Sequence, residues 1–245
     1  MQQTDTVVEL ADVHFAWPGS AAVALPGLRL GRGERVFLRG PSGSGKSTLL
    51  NLLAGVLRAQ SGTVRVLGQD LTLLPGAARD RFRADHLGIV FQLFNLIPYL
   101  SVVENVCLPC RFSTQRRARA VRTSHDVATE ARRLLGELDL PQALQHRPVT
   151  ALSVGQQQRV AAARALIGAP ELLLADEPTS ALDADRRAAF LDLLFRQCER
   201  EGTTLLFASH DGGLAARFDR CVDLAQRAAD PATRTGADRG LAAAA

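Results

Sequence analysis

The densest chemistry in the chain lies in Gly40-Pro41-Ser42-Gly43-Ser44-Gly45-Lys46-Ser47-Thr48, spaced as G-x-x-x-x-G-K-S. Residues of these types in this order can wrap a row of phosphates. The glycines let the backbone curl until successive N–H groups converge on oxygen atoms. Lys46 supplies a point charge for the β- and γ-phosphates of a nucleotide such as ATP, and the Ser47 hydroxyl is a ligand for Mg²⁺. The apolar run Arg35-Val36-Phe37-Leu38 comes before the loop and reads as a buried strand. Leu49 to Ala54 comes after it and reads as a helix, whose free N-terminal N–H groups and positive dipole end add to an anion site. A plain Gly/Ser turn would need neither the Lys-Ser pair nor the strand. The chain holds 29 Lys and Arg in all, and Lys46 is its single lysine. An ammonium is thus used only where a compact cation, not a planar fork, must fit inside a ring of amides.

A second constellation complements the first. Leu172-Leu173-Leu174-Ala175 is an apolar strand that ends in Asp176-Glu177. A carboxylate at the end of such a strand holds Mg²⁺ beside a phosphate loop. Glu177, one residue further, is placed to polarise an attacking water, an assistance worth ~10²–10⁴-fold in rate. Alone, the pair would read as surface acids after a core strand; the upstream loop gives it meaning. A third stretch, Leu152-Ser153-Val154-Gly155-Gln156, opens a helix with a hydroxyl, free N–H groups and a dipole, all suited to an oxygen-rich ligand.

With this stretch in place the sequence resembles the ATP-binding cassette (ABC) family. Gln92 matches that family's Q-loop, Ser180-Ala181-Leu182-Asp183 its D-loop, and His210 its switch histidine. Trp17 falls where the family places an aromatic under adenine. The resemblance runs from about residue 7 to about 225. It implies an α/β fold: a P-loop NTPase (RecA-like) core with an N-terminal antiparallel β subdomain and a helical insert at about 93–155. It also implies ATP hydrolysis with Glu177, His210 and Gln92 as catalytic residues and Ser47, Gln92 and Asp176 around Mg²⁺. Two copies would pair head to tail, so that Ser153, Val154, Gly155 and Gln156 reach the partner's ATP, with Asp183 in the D-loop. One departure stands out. The family's common signature is L-S-G-G-Q, and here Val154 takes the second place. A β-branched residue disfavours positive φ, so either the position is ordinary helical or extended backbone, or the loop is reshaped.

Within the family, Phe91 to Pro98 and Val103 to Pro109 resemble the MacB/LolD/FtsE-like group, ATPases that serve permeases doing mechanical work at a bacterial inner membrane. The resemblance implies a peripheral subunit on the cytoplasmic face of that membrane. It also implies a permease-docking groove near Phe94, Leu96, Ile97, Tyr99 and Leu100; the bland reading of the same residues is core of the helical insert. A soluble ABC ATPase acting on nucleic acid would want a clustered basic stripe or a metal finger, and neither is present, so no nucleic-acid partner is expected. A regulatory ATPase with weak hydrolysis is the other alternative, kept open by Val154.

Bulk properties agree. A chain of 245 residues, 47% hydrophobic, can bury a sizeable core. No run approaches the roughly 18 apolar residues of a membrane span, and Met1 to Thr6 reads as no signal peptide. The net charge of +4 suits nucleotides and acidic lipid alike. Cys107 and Cys110 form a C-x-x-C without a second pair at metal spacing, so they read as small buried hydrophobes.

Strands are expected over Val7 to Val13, Val23 to Leu30, Glu34 to Leu38, Thr63 to Leu67, Leu87 to Phe91, Leu172 to Ala175 and Thr203 to Ala208. Helices are expected after the phosphate loop, from Pro75-Gly76 to about Ala84, from the capping box Ser101-Val102-Val103-Glu104, from about His125 to Leu138, from Ser153 to about Ile167, and from Asp185 to about Arg200. Turns are read at Pro18-Gly19-Ser20 and around Gly68-Gln69-Asp70. Residues 226–245, rich in Ala, Arg and Asp, read as a disordered tail.

Overall fold

A computed structural model describes residues 5–17 and 23–224. The turn expected at Pro18 to Ser20 and the tail expected at 226–245 lie outside the described residues. In chain order come strands β1 (Thr6–Phe15), β2 (Val23–Gly31) and β3 (Arg35–Arg39), helix α1 (Lys46–Leu53), strands β4 (Ser61–Val66) and β5 (Gln69–Asp70), helix α2 (Gly76–His86) and strand β6 (Leu87–Val90). Helices α3 (Val102–Cys107), α4 (Pro109–Phe112), α5 (Thr114–Thr123) and α6 (Val127–Glu137) follow. Then α7 (Val154–Leu166), β7 (Leu172–Asp176), α8 (Ala184–Glu201), β8 (Thr204–Ser209) and β9 (Arg220–Asp223) complete the order.

The strands form two sheets. One is antiparallel, in the order β2-β1-β4-β5, with Leu10 opposite Leu28 on one side and Val64 on the other. The other is parallel, in the order β6-β7-β8-β3-β9. Strands of a parallel sheet are covered on both faces, so they read as unbroken apolar runs. β7 shows why. Leu172 and Leu174 point into the core shared with α1 and the antiparallel sheet, whereas Leu173 and Ala175 point into the core shared with α7 and α8. All four are fully buried, and each leucine contributes about 1.5–3 kcal/mol by leaving water. β6 approaches α7 closely. A Cβ on Gly88 would stand 2.4 Å from the Ala165 carbonyl oxygen, so only glycine fits there.

The sheet order positions the site. Ligands of open parallel sheets bind beyond the carboxyl ends of the strands. Here β6, β7, β8 and β3 are lateral neighbours, and their carboxyl ends lead into Gln92, Asp176-Glu177, Ser209-His210 and the phosphate loop respectively.

Several expectations need correction. Gln69-Asp70 is not a closing turn but a two-residue strand paired with β4. β9 and α5 were not expected as elements. Phe94 is not a groove residue: it is 8% exposed and belongs to the core of the helical part, with Leu96 packed against it. Tyr99, by contrast, is 82% exposed. Cys107 is half-buried, with Cys110 and Cys198 buried and Cys221 exposed, all as free thiols. Burial pushes the Cys107 thiol up to about 11, which leaves little thiolate for redox chemistry. Among the described residues no helix is long and apolar enough to cross a membrane.

Candidate functional site

The phosphate loop leaves β3 and turns sharply at Gly43 and Gly45, whose φ values are 78° and 94°. Gly45 is the N-cap of α1 and offers no side-chain cap, so the first N–H groups of the helix stay open to a ligand. Lys46 is the first residue of that helix. Its Nζ donates to the Gly40 carbonyl (2.7 Å) and the Pro41 carbonyl (3.1 Å) and lies 3.6 Å from Glu177 Oε1. With 7% of its surface exposed, the ammonium is held where a phosphate would meet it. The Ser44 hydroxyl is buried there without a partner.

Glu177 follows β7 in left-handed backbone, φ 46°. Its N–H donates to the Ala208 carbonyl on β8 (2.9 Å), which ties the turn to the neighbouring strand. The carboxylate accepts from the Ser209 hydroxyl at 3.2 Å and lies 3.0 Å, through both oxygens, from His210 Nδ1, a fit for an Nδ1–H donor. His210 keeps 62% of its side chain exposed. The loop that bears it is anchored by Asp211, which pairs with Arg187 of α8. Sequence reasoning gave no role to Ser209, the chain neighbour of His210, or to Arg187, which only the fold brings to the site.

Asp176 ends β7. Its Oδ1 is buried without a hydrogen-bond partner, and burial raises the carboxyl above its ordinary range against a lowering hydrogen bond from Ser47. An orphaned carboxylate oxygen beside a serine hydroxyl suits a hard cation that prefers oxygen ligands. No group of three His, Cys, Asp or Glu among the described residues could cage a metal alone.

One cleft of about 780 Å³ joins Trp17, Pro41, Ser42, Gly43, Gly45, Lys46, Ser47, Thr48, Gln92, Glu177 and His210. Trp17 is 48% exposed and meets Phe15 edge-on, centroids 5.1 Å apart, which leaves ring surface for a ligand. The expected signature is not in this cleft. Ser153 N-caps α7, accepts from the Gln156 N–H (3.4 Å), and donates its own N–H to Gln156 Oε1 (2.9 Å). Val154 is the first residue of α7 and is not among the positive-φ residues; its side chain is half exposed. Asp183 N-caps α8 by accepting from the Arg186 N–H at 2.9 Å. A second cleft of about 650 Å³ lies between α2, β6 and the helical part, lined in part by Ala84, Ile89, Phe91, Asn95, Phe112 and Arg164. Of the other histidines, His14, His125 and His146 are exposed and His86 packs on Phe82 and Glu171.

Comparison with known proteins adds an independent line. Residues 26–180 match the profile of the family described as ABC transporter. The chain is 47% identical over 193 residues to the uncharacterized ABC transporter ATP-binding protein YbbA of Escherichia coli K12, covering 79% of this chain and 81% of that one. It is 43% identical over 198 residues to the lipoprotein-releasing system ATP-binding protein LolD of Syntrophotalea carbinolica, covering 81% and 84%. Among solved structures, the dimeric ABC transporter cassette MJ0796 superposes with a TM-score of 0.73 at 34% identity, over 88% of this chain and 93% of that one. A post-hydrolysis state of the same cassette with ADP and Pi superposes at 0.72.

Proposed function

Because this chain belongs to the ABC transporter family, we propose that it is the ATP-hydrolysing subunit of a transporter, working on Mg-ATP to energise a separate permease in the inner membrane. The observation that carries the reading is the single cleft in which a phosphate loop, an aromatic face, Gln92, Glu177 and His210 converge. Relatives named for lipoprotein release favour export or mechanical work of that type, with the subunit held peripherally on the cytoplasmic face.

The chain's own residues divide the work. Trp17 receives the base, and the loop N–H groups with Lys46 bind and orient the phosphates. Ser47, Asp176 and Gln92 would hold Mg²⁺, which when bound neutralises charge on the phosphates. Glu177 takes a proton from water, with His210 and Ser209 fixing its carboxylate. Ser153 to Gln156 lie outside the cleft, on the open end of α7, so the site is completed by a second copy whose signature faces the phosphates. The permease segment takes the second cleft, whose lining includes the exposed Phe112. The purified subunit reconstituted with its permease in vesicles should release phosphate from ATP faster than alone. A protein that binds no ATP, or ignores the permease, would sink this reading.

Two results test the finer assignments. Trp17→Ala should cost roughly 1–3 kcal/mol of ATP affinity, the scale for bases on aromatic platforms, and ATP or GTP should each change the emission of the chain's one tryptophan. Unchanged emission at saturation, together with normal binding by the variant, would leave Trp17 a packing residue. Val154→Gly should lower hydrolysis by no more than about threefold, because Val154 already occupies ordinary helical backbone and Gly costs only about 0.5–1 kcal/mol there. A collapse in turnover would mean that the valine shapes the signature.

A further inference from the structure

Helix α7 carries Ser153 at its N-cap and Arg164 about three turns further on. The Arg164 guanidinium has no ion-pair partner among the described residues and binds backbone. Nη1 donates to the Asn95 carbonyl at 2.7 Å and Nη2 to the Phe94 carbonyl at 2.5 Å. Burial holds the group below the ordinary arginine range, so its desolvation is offset by these two bonds alone among the hydrogen bonds and ion pairs of the described residues.

The two carbonyls belong to an unusual piece of chain. Phe94 and Asn95, the second and third residues after Gln92, both sit in left-handed backbone, at φ 59° and 49°. A bulky aromatic is a rare occupant of that region, and such strain persists only where the surroundings over-determine it. Three groups do so here. The Phe94 ring is locked in the core. The buried Asn105 amide accepts from the Ile97 N–H (2.8 Å) and donates to the Ile97 carbonyl (3.0 Å). Arg164 grips the strained pair itself. A planar fork can satisfy two adjacent carbonyls at once, which an ammonium cannot do with the same geometry.

Gln92 stands in the nucleotide cleft at the head of this loop, and Arg164 and Asn95 both line the second cleft. We infer that Arg164 is a positioning residue for hydrolysis: by gripping the Phe94 and Asn95 carbonyls it fixes the loop that begins at Gln92, and so sets where the Gln92 amide stands over the nucleotide. The inference rests on the ATPase reading above. It gives the loop an anchor, beside the Phe94 ring and Asn105, on the helix whose other end is Ser153.

The test is a double-mutant cycle on the full-length protein, with phosphate release for kcat and equilibrium dialysis for ATP affinity. Arg164→Met should lower kcat about tenfold while the Kd for ATP stays within about twofold, a split that general destabilisation would not give. Gln92→Ala should be impaired at least as much. The double variant should fall no more than about twofold below Gln92→Ala, because both changes remove one function. Arg164→Lys, which can still bond one carbonyl, should lie between wild type and Arg164→Met, and it carries the cycle if the methionine variant does not fold. Losses that multiply in the double variant would make Arg164 a support independent of Gln92 and overturn the inference. Wild-type turnover in the Arg164 variants beside an impaired Gln92→Ala would overturn it while leaving the ATPase reading intact. A fully active Gln92→Ala would remove both the role of Gln92 and this inference.

Discussion

Glu177→Gln should bind Mg-ATP and scarcely turn it over, with a loss of about 10²–10⁴-fold in kcat, the range for a missing general base. The geometry favours a clean result. The amide has the shape of the carboxylate, so the left-handed turn at φ 46° and its N–H bond to Ala208 are unchanged. An amide oxygen can still accept from His210 Nδ1 or Ser209. Lys46 loses a charged neighbour at 3.6 Å but keeps its bonds to the Gly40 and Pro41 carbonyls, so phosphate binding survives. On the proposed head-to-tail pairing, unspent ATP keeps the signature of one copy on the nucleotide of the other, and dimers should accumulate. Light scattering with Mg-ATP reads the mass, and phosphate release reads the rate. A variant that stays monomeric, or that turns over normally, would take Glu177 out of this role.

How much of this was legible in the sequence depends on what signal each element emits. The parallel strands announced themselves because burial on both faces forces an unbroken apolar run, as in Leu172 to Ala175. The phosphate loop and the helix cap at Ser153 are short and local, so residue types at fixed spacing sufficed. Helix α5 left no such signal. Its deeply buried residues are only Ala120 and Arg116, the latter bonded to the Leu87, Ala165 and Ile167 carbonyls, so a search for apolar periodicity passes over it. β9 is four residues long at the sheet edge and buries only Val222 deeply. The expected docking groove near Phe94 was misjudged for a related reason. Phe94, Leu96 and Tyr99 are alike in type, but left-handed backbone at Phe94 turns its ring into the core while Tyr99 stays in solvent, and hydropathy carries no record of φ. Ser209, Arg187 and Arg164 act through partners 24 to 70 positions away, a distance at which spacing says nothing without the fold.

Lys46→Ala should weaken ATP binding on the order of 10²–10³-fold and abolish measurable hydrolysis. A unit charge about 4 Å from one phosphate charge is worth roughly 4 kcal/mol at an effective dielectric of 20, and every 1.4 kcal/mol is about tenfold. The loss has a second part. Glu177 would then face the incoming γ-phosphate without the ammonium that lies 3.6 Å from it, and like charges at short range repel. The buried position sharpens the test further. Alanine leaves the Gly40 and Pro41 carbonyls without their donor, so a thermal melt must accompany the binding data to separate a lost charge from a loosened loop. Lys46→Arg is the companion variant. It keeps the charge, but its planar fork does not match a ring of amides built around an ammonium, so it too should bind ATP poorly. A chemical measurement then needs no mutation at all. Lys46 is the chain's only lysine, so an amine reagent can mark this side chain and the N-terminus alone. Labelling of Lys46 should be slow, given its 7% exposure, and slower still with ATP bound. Equal labelling with and without ATP, or near-normal affinity in Lys46→Ala, would place the nucleotide elsewhere.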